Sequence, residues 1–310
     1  MAQITASVAQ FYNRTMELRD KRVDGWILMD SPLPTLLLCL SYVYGVTSLG
    51  PWIMKNKESL NLRKALVAYN FFMVLFSVYL FMELWLSGWG TGYSYRCQPV
   101  DFSHSPKAMR MANACWWYYF SKFIEFADTI FFVLRKKFNQ VTLLHVIHHG
   151  CMPMSVWFGV RFTPGGHSTF FGLLNSLVHI FMYTYYGIAA MGPKYTKFLW
   201  WKKYMTTFQL MQFIGIIVHA FQLLFIDCNY PKAFVWWIGG HAVMFFFLFM
   251  DFYKQAYLRR RTTPKSNKIT NGHLATLNGH TNKQSNGLHN GLHNAPQHVH
   301  ENGHSKSKTH

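Results

Sequence analysis

Seven membrane-crossing helices are expected from this sequence, giving an all-α integral membrane bundle with a lumenal N-terminus and a cytosolic C-terminus. Hydrophobic residues make up 51% of the 310 positions and charged residues only 14%, more apolar than a soluble domain can cover with polar surface. The apolar residues are also grouped into runs of membrane length, and basic residues concentrate in every second connection between them.

Residues 1–32 mix both charge signs and contain no apolar h-region, so no cleaved signal peptide is expected and the segment is assigned to the lumen. The bundle itself is expected over residues 33–261, with spans at about 33–54, 65–87, 112–134, 141–160, 168–191, 205–226 and 233–253. Each is close to the roughly 20 residues that a helix needs to cross a hydrocarbon core. The connections KNKESLNLRK (55–64), RKK (135–137) and KYTKFLWWKK (194–203), and the final YKQAYLRRR (253–261), are short and basic. Basic connections mark the cytoplasmic side, and their strict alternation sets the orientation. The formal charge of +18 is therefore a product of topology. No nucleic-acid-binding pattern accompanies it, and no nucleic-acid partner is expected.

From residue 262 to 310 the composition changes to NGH and NGLH repeats, read as a disordered cytosolic tail. It ends in KSKTH, in which Lys306 and Lys308 give the KxKxx form of a dilysine retrieval signal, read by COPI-type machinery. A multi-pass protein of the endoplasmic reticulum membrane is expected. Of five cysteines, Cys97 and Cys228 fall in lumenal connections, where an oxidising compartment permits a disulfide; two free thiols are the alternative. Cys39, Cys115 and Cys151 lie within spans and read as small buried hydrophobes.

Polar residues inside spans are costly there and are functional candidates by default. In the third span SKFIEFADT sets Lys122, Glu125, Asp128 and Thr129 on one helical face. The fourth carries His145, His148 and His149 at i, i+3, i+4. The fifth carries Asn175, His179, Met182 and Tyr183, and the sixth Gln209 and Gln212. At about 1.5 Å per residue, Asp128 and the histidine trio lie at similar depths from the basic RKK turn, with His179 nearer the midplane. Four helices thus present polar faces at overlapping depth, which a pocket open to the cytosol would satisfy. Taken singly, His179, Gln209 and Gln212 could be interhelical glue, and Lys122 with Glu125 a structural ion pair.

Two chemistries suit HVIHH. Histidines so spaced can ligate iron or zinc, but a diiron desaturase or hydroxylase needs several such boxes, this chain has one, and HExxH is absent. The other is acid/base or nucleophilic chemistry, in which an imidazole oriented by a carboxylate attacks a thioester or moves protons near neutral pH. A seven-span receptor or channel shares the N-terminal orientation but not this polar cluster.

KFIEFADT, HVIHH, NSLVHIFMYTYY and TTFQLMQF, in that order, resemble the four signature segments of the ELO family, the elongases of very long chain fatty acids. The resemblance covers about residues 25–261 and leaves out the tail repeats. It implies a 3-ketoacyl-CoA synthase, an acyltransferase that condenses a long-chain acyl-CoA with malonyl-CoA and releases CoA and carbon dioxide. It needs no cofactor or metal beyond malonyl-CoA as co-substrate, sits in membrane lipid and contacts the other enzymes of the elongation cycle. His148 is then expected to attack the thioester, or to act as a general base in a one-step variant. Asp128 is expected to orient a box histidine, His145 and His149 to support proton transfer, and His179 with Asn175 to hold the enolate oxygen. Lys122, Glu125, Tyr183, Gln209 and Gln212 are expected to line the substrate pocket.

Overall fold

A computed structural model describes residues 2–258, all of whose regular structure is helical. The tail assigned to 262–310, with Lys306 and Lys308, lies outside the described residues. A first helix, α1 (Ala2–Glu17), precedes the apolar runs. Ser31 opens α2 (Pro32–Tyr44), accepting from the Leu33 N–H while Pro32 takes the first turn, where no N–H is needed. A π-helical turn carries α2 into α3 (Gly50–Met54). Then follow α4 (Arg63–Leu84), α5 (Pro106–Ile124), α6 (Phe126–Leu134) and α7 (Leu143–Phe162). Three further long helices are α8 (Thr169–Ala190), α9 (Lys202–Phe221) and α10 (Lys232–Tyr253).

Each expected apolar run is helical, with one interruption: the run at 112–134 divides at Glu125 into α5 and α6. Among the described residues, four helical stretches are long and apolar enough to cross a membrane, namely Pro32–Met54, Arg63–Trp89, Lys202–Leu224 and Lys232–Leu258. The three between them, α5 with α6, α7 and α8, carry the ionisable and amide side chains that dilute their apolar character.

The packing closes a ring. Helix α4 lies against α8, α8 against α9, α9 against α10, α10 against α7, α7 against α5, and α5 against α4. Helix α2 packs against α7 from outside that ring and buries one face, Thr35, Cys39 and Tyr42, at the i, i+4, i+7 spacing of a single stripe. At the end of the bundle distant from the histidines, a disulfide joins Cys97 to Cys228 across 131 residues of sequence. Nearby, the His167 N–H donates to the Gln98 carbonyl at 2.8 Å. Arg22 pairs with Asp20 at 2.6 Å and donates to the carbonyls of Asp101 and Ser103, so the segment before α2 is tied to the same loops.

Candidate active site

Glu125 stands where α5 gives way to α6 and is 1% exposed. A buried carboxylate must be paired, and it meets three helices. Lys122 Nζ donates to its Oε1 at 2.7 Å, His179 Nδ1 on α8 lies 3.4 Å from the same oxygen, and His149 Nδ1 on α7 lies 4.0 Å from Oε2. Lys122 is also buried; its Nζ donates to Asn175 Oδ1 at 3.2 Å and sits 4.4 Å from the centre of the Tyr118 ring, a cation–π distance.

Asn175 resolves the protonation of His179. Its Oδ1 accepts from Tyr118 Oη at 2.7 Å and from Lys122, which turns the amide nitrogen toward His179 Nε2 at 3.3 Å. An NH₂ group can only donate, so Nε2 accepts, and the imidazole proton sits on Nδ1, facing Glu125. Tyr118, which stands four residues and so one helical turn before Lys122, was not singled out from the sequence; that spacing was the signal available for it.

The histidine trio starts α7. Thr142 caps the helix, its hydroxyl accepting from the His145 N–H, which sets the rotation of the turn that follows. His145 and His149 have ring centres 4.4 Å apart, as one-turn neighbours should, and His148 lies 5.0 Å from His149. Pro153 lies four residues after His149 inside the helix, so the His149 carbonyl lacks its usual i+4 N–H donor. His145 Nε2 bonds to Thr129 Oγ1 at 2.8 Å, and His149 faces Glu125. The 4.0 Å contact of His149 is an ion-pair distance and not a hydrogen bond, and among the described residues the His148 ring has neither. That ring packs on Phe245 of α10 at 5.0 Å.

One expected role changes. Asp128 does not orient a box histidine; its Oδ2 accepts from Tyr183 Oη on α8 at 2.8 Å. Adjacent helical residues point about 100° apart, so on α6 Asp128 is turned to α8 while Thr129, next in sequence, is turned to α7 and takes the histidine. On α9, Gln209 Nε2 donates to Met182 Sδ at 3.7 Å, and Gln212 is buried with Oε1 unpartnered among the described residues. Neither glutamine bonds to the histidines among the described residues. No three His, Cys, Asp or Glu side chains among the described residues converge as a metal-ligand set.

Behind His148 the packing is apolar. Met152, Phe213 and Phe245 form a cluster joined by Ile147, Cys151, Phe171, Phe246 and Phe249, drawn from α7, α8, α9 and α10. The site is thus a compact ionic and amide cluster opening on one side onto apolar ring-lining residues. Chemically it offers an uncommitted imidazole, a second imidazole with a fixed proton, an amide donor and a neutralised carboxylate.

The chain matches the GNS1/SUR4 (ELO) family over residues 27–265. It is 64% identical over 258 residues to a very long chain fatty acid elongase of Aedes aegypti, covering 83% of this chain and 72% of the relative. It is 54% identical over 285 residues to very long chain fatty acid elongase 7 of Drosophila melanogaster, covering 90% and 86% of the two chains. Very long chain fatty acid elongase 7 of Rattus norvegicus is 52% identical over 267 residues, covering 86% and 95%.

Proposed function

The chain belongs to the GNS1/SUR4 (ELO) family and acts in the elongation of very long chain fatty acids, and from that premise we propose that it is the condensing enzyme, a 3-oxoacyl-CoA synthase using histidine chemistry. It is a multi-pass membrane protein acting on acyl-CoA. Family membership favours elongation over the desaturase or hydroxylase reading of the histidine box.

The observation that carries the mechanism is the contrast within the trio. His145 is held by Thr129 and His149 faces Glu125 at 4.0 Å, while among the described residues the His148 ring has neither a hydrogen bond nor an ion pair and abuts the apolar cluster. His148 attacks the acyl thioester: an N–C bond forms, the C–S bond breaks, and CoA leaves as its thiolate, taking up the imidazole proton. Malonyl-CoA then loses carbon dioxide, its enolate carbon attacks the acyl-imidazole, and the N–C bond breaks to release the 3-ketoacyl-CoA as the departing imidazole nitrogen takes a proton from water, which restores neutral His148. Asn175 Nδ2, whose 3.3 Å bond to His179 is long, is the donor best placed to exchange onto the enolate oxygen; such a donor is worth about 3 kcal/mol. Lys122 and Glu125 neutralise one another and fix that amide and the His179 proton. Tyr183, buried and bonded to Asp128, packs beside the cluster against the His179 ring.

Seven spans, a lumenal N-terminus, a cytosolic C-terminus and residence in the endoplasmic reticulum are supported by the alternation of basic connections and by Lys306 and Lys308. The reaction requires malonyl-CoA and no metal, and its product suits hand-over to the reductases and dehydratase of the cycle. The test is turnover of the detergent-solubilised protein with acyl-CoA and labelled malonyl-CoA, comparing wild type with His148→Ala. Label in a two-carbon-longer 3-ketoacyl product from wild type alone supports the site. CoA released from acyl-CoA without malonyl-CoA marks the acyl-imidazole route, whereas extension without that release makes His148 a general base. Extension only with added iron and oxygen refutes both.

A further inference from the structure

We propose that Tyr42, on α2 outside the ring and outside all four signature segments, is a positioning residue for the reaction, holding His145 in one tautomer through Thr129. The proposal rests on the elongase reading above. Tyr42 Oη lies 2.7 Å from Thr129 Oγ1, which lies 2.8 Å from His145 Nε2. Thr129 is fully buried and Tyr42 is 6% exposed, its ring stacked on Phe126 at 4.2 Å with 15° between planes. The pair therefore has little water with which to exchange.

The direction of the chain follows from counting donors. Two hydroxyls and one imidazole nitrogen share two hydrogen bonds. If His145 Nε2 carried the proton, it would donate to Thr129, and one hydroxyl proton, that of Tyr42 or of Thr129, would be left buried with no acceptor among the described residues. If Tyr42 donates to Thr129 and Thr129 to His145 Nε2, both buried hydroxyl protons have an acceptor, and the imidazole proton falls on Nδ1 of a ring that is only half-buried. A buried donor without an acceptor is costly, so the second arrangement holds. His145 is then neutral at Nε2, with its proton on Nδ1, and its ring is pinned 4.4 Å from His149. His149 in turn contacts both Glu125 and His148. The outer helix thereby sets the orientation of the first of three contiguous imidazoles, and through it the stack against which His148 works. The other hydroxyl on this face, Thr35, bonds to Tyr119 of α5, so α2 is anchored at two heights and Tyr42 has little freedom to retreat.

The full chain in detergent micelles serves for the test. Tyr42→Phe should lower kcat about ten-fold, the loss of one buried hydrogen bond, with KM for acyl-CoA changed by less than about two-fold because substrate does not touch it. Thr129→Val should cost at least as much, and Thr129→Ser, which keeps the hydroxyl, should recover most of the loss. In the Thr129→Val background Tyr42→Phe should cost nothing further, because Tyr42 acts only through Thr129. Independent, multiplying losses, or a Tyr42→Phe enzyme at wild-type rate, overturn the proposal. A second readout does not need turnover: diethyl pyrocarbonate labels free imidazole lone pairs, and the rate at His145, read by peptide mass spectrometry, should rise about five-fold or more in Tyr42→Phe and in Thr129→Val. Equal labelling rates in wild type and both variants overturn it as well. Absence of any extension by wild type would sink the elongase reading while the labelling rates still decide the relay. Extension that His148→Ala abolishes but Tyr42→Phe leaves intact would sink the relay alone.

Discussion

Replacing Glu125 by Gln tests whether the cluster is held by charge in a dry interior. The Lys122–Glu125 pair is 2.7 Å long with side chains 2% and 1% exposed. An exposed pair of that kind contributes about 0–1 kcal/mol, whereas removing one partner of a buried pair costs about 3–5 kcal/mol, because the other charge is left uncompensated. The surroundings make the two single replacements unequal. Glu125→Gln leaves the Lys122 ammonium with the neutral Asn175 Oδ1 and the Tyr118 ring, so the loss should sit in the middle of that range, about 4 kcal/mol. Lys122→Met leaves a carboxylate that still faces His179 Nδ1 at 3.4 Å and His149 Nδ1 at 4.0 Å, and should cost about 1–2 kcal/mol less. The double variant, with neither charge, should be more stable than the Glu125→Gln single. Mixed-micelle denaturant titration followed by tryptophan fluorescence gives all four stabilities. Losses below about 1 kcal/mol that simply add would refute the reasoning, since they require a pocket wet enough to screen the pair.

Three further outcomes follow from the end of the bundle carrying the disulfide. Cys97→Ser should lower the thermal inactivation temperature as much as reductant lowers it in wild type, and reductant should then have no further effect; the bridge closes a loop of 131 residues, worth at most about 4–5 kcal/mol. Gly166→Ala should cost about 2–3 kcal/mol in the same micelle titration, because Gly166 has φ +67° and a Cβ there would lie 2.9 Å from the Gln98 carbonyl oxygen and the Val100 nitrogen. Burial pushes the His167 imidazole below its ordinary value, only partly offset by its hydrogen bond to the His219 carbonyl. The unfolded chain therefore takes up a proton near pH 6.5 that the folded one refuses, and stability present above that pH should fall as pH drops below it. A thermal midpoint that declines from pH 7.5 to 5.5 in wild type, but less in His167→Phe, is the expected result, and parallel declines would remove His167 from the account.

The helices were legible because length and apolar grouping are one-dimensional signals. The run at 33–54 was recovered nearly to its ends as Pro32–Met54, and 141–160 as Leu143–Phe162. The break at Glu125 was not legible, because FIEFAD contains neither proline nor glycine and every residue in it tolerates a helix. At the break Glu125 keeps right-handed helical angles, φ −62° and ψ −18°, and meets partners on α7 and α8, a tertiary setting without a local signature. α1 was passed over for a related reason: it is too short of apolar residues to read as a span, and the search for spans was the search that the composition invited.

At the site, spacing identified which residues share a face but not which neighbour each one meets. Lys122, Glu125, Asp128 and Thr129 were all put on one stripe, and a stripe about 100° wide is broad enough to touch two helices at once. Lys122 and Glu125 meet α7 and α8 together, and the stripe then divides, Asp128 to Tyr183 and Thr129 to His145. Carboxylate chemistry made Asp128 the natural partner for an imidazole, yet Asp128 takes its donor from Tyr183, and a threonine hydroxyl orients the His145 ring without placing a charge beside it. The same economy explains why tyrosines, of which the sequence singled out only Tyr183, do so much of the orienting here. Tyr118 fixes Asn175, Tyr183 holds Asp128 and Tyr42 backs Thr129. A phenol supplies one directed proton on a rigid apolar body, so in a membrane interior it can set a tautomer from a helix that contributes nothing else to the chemistry.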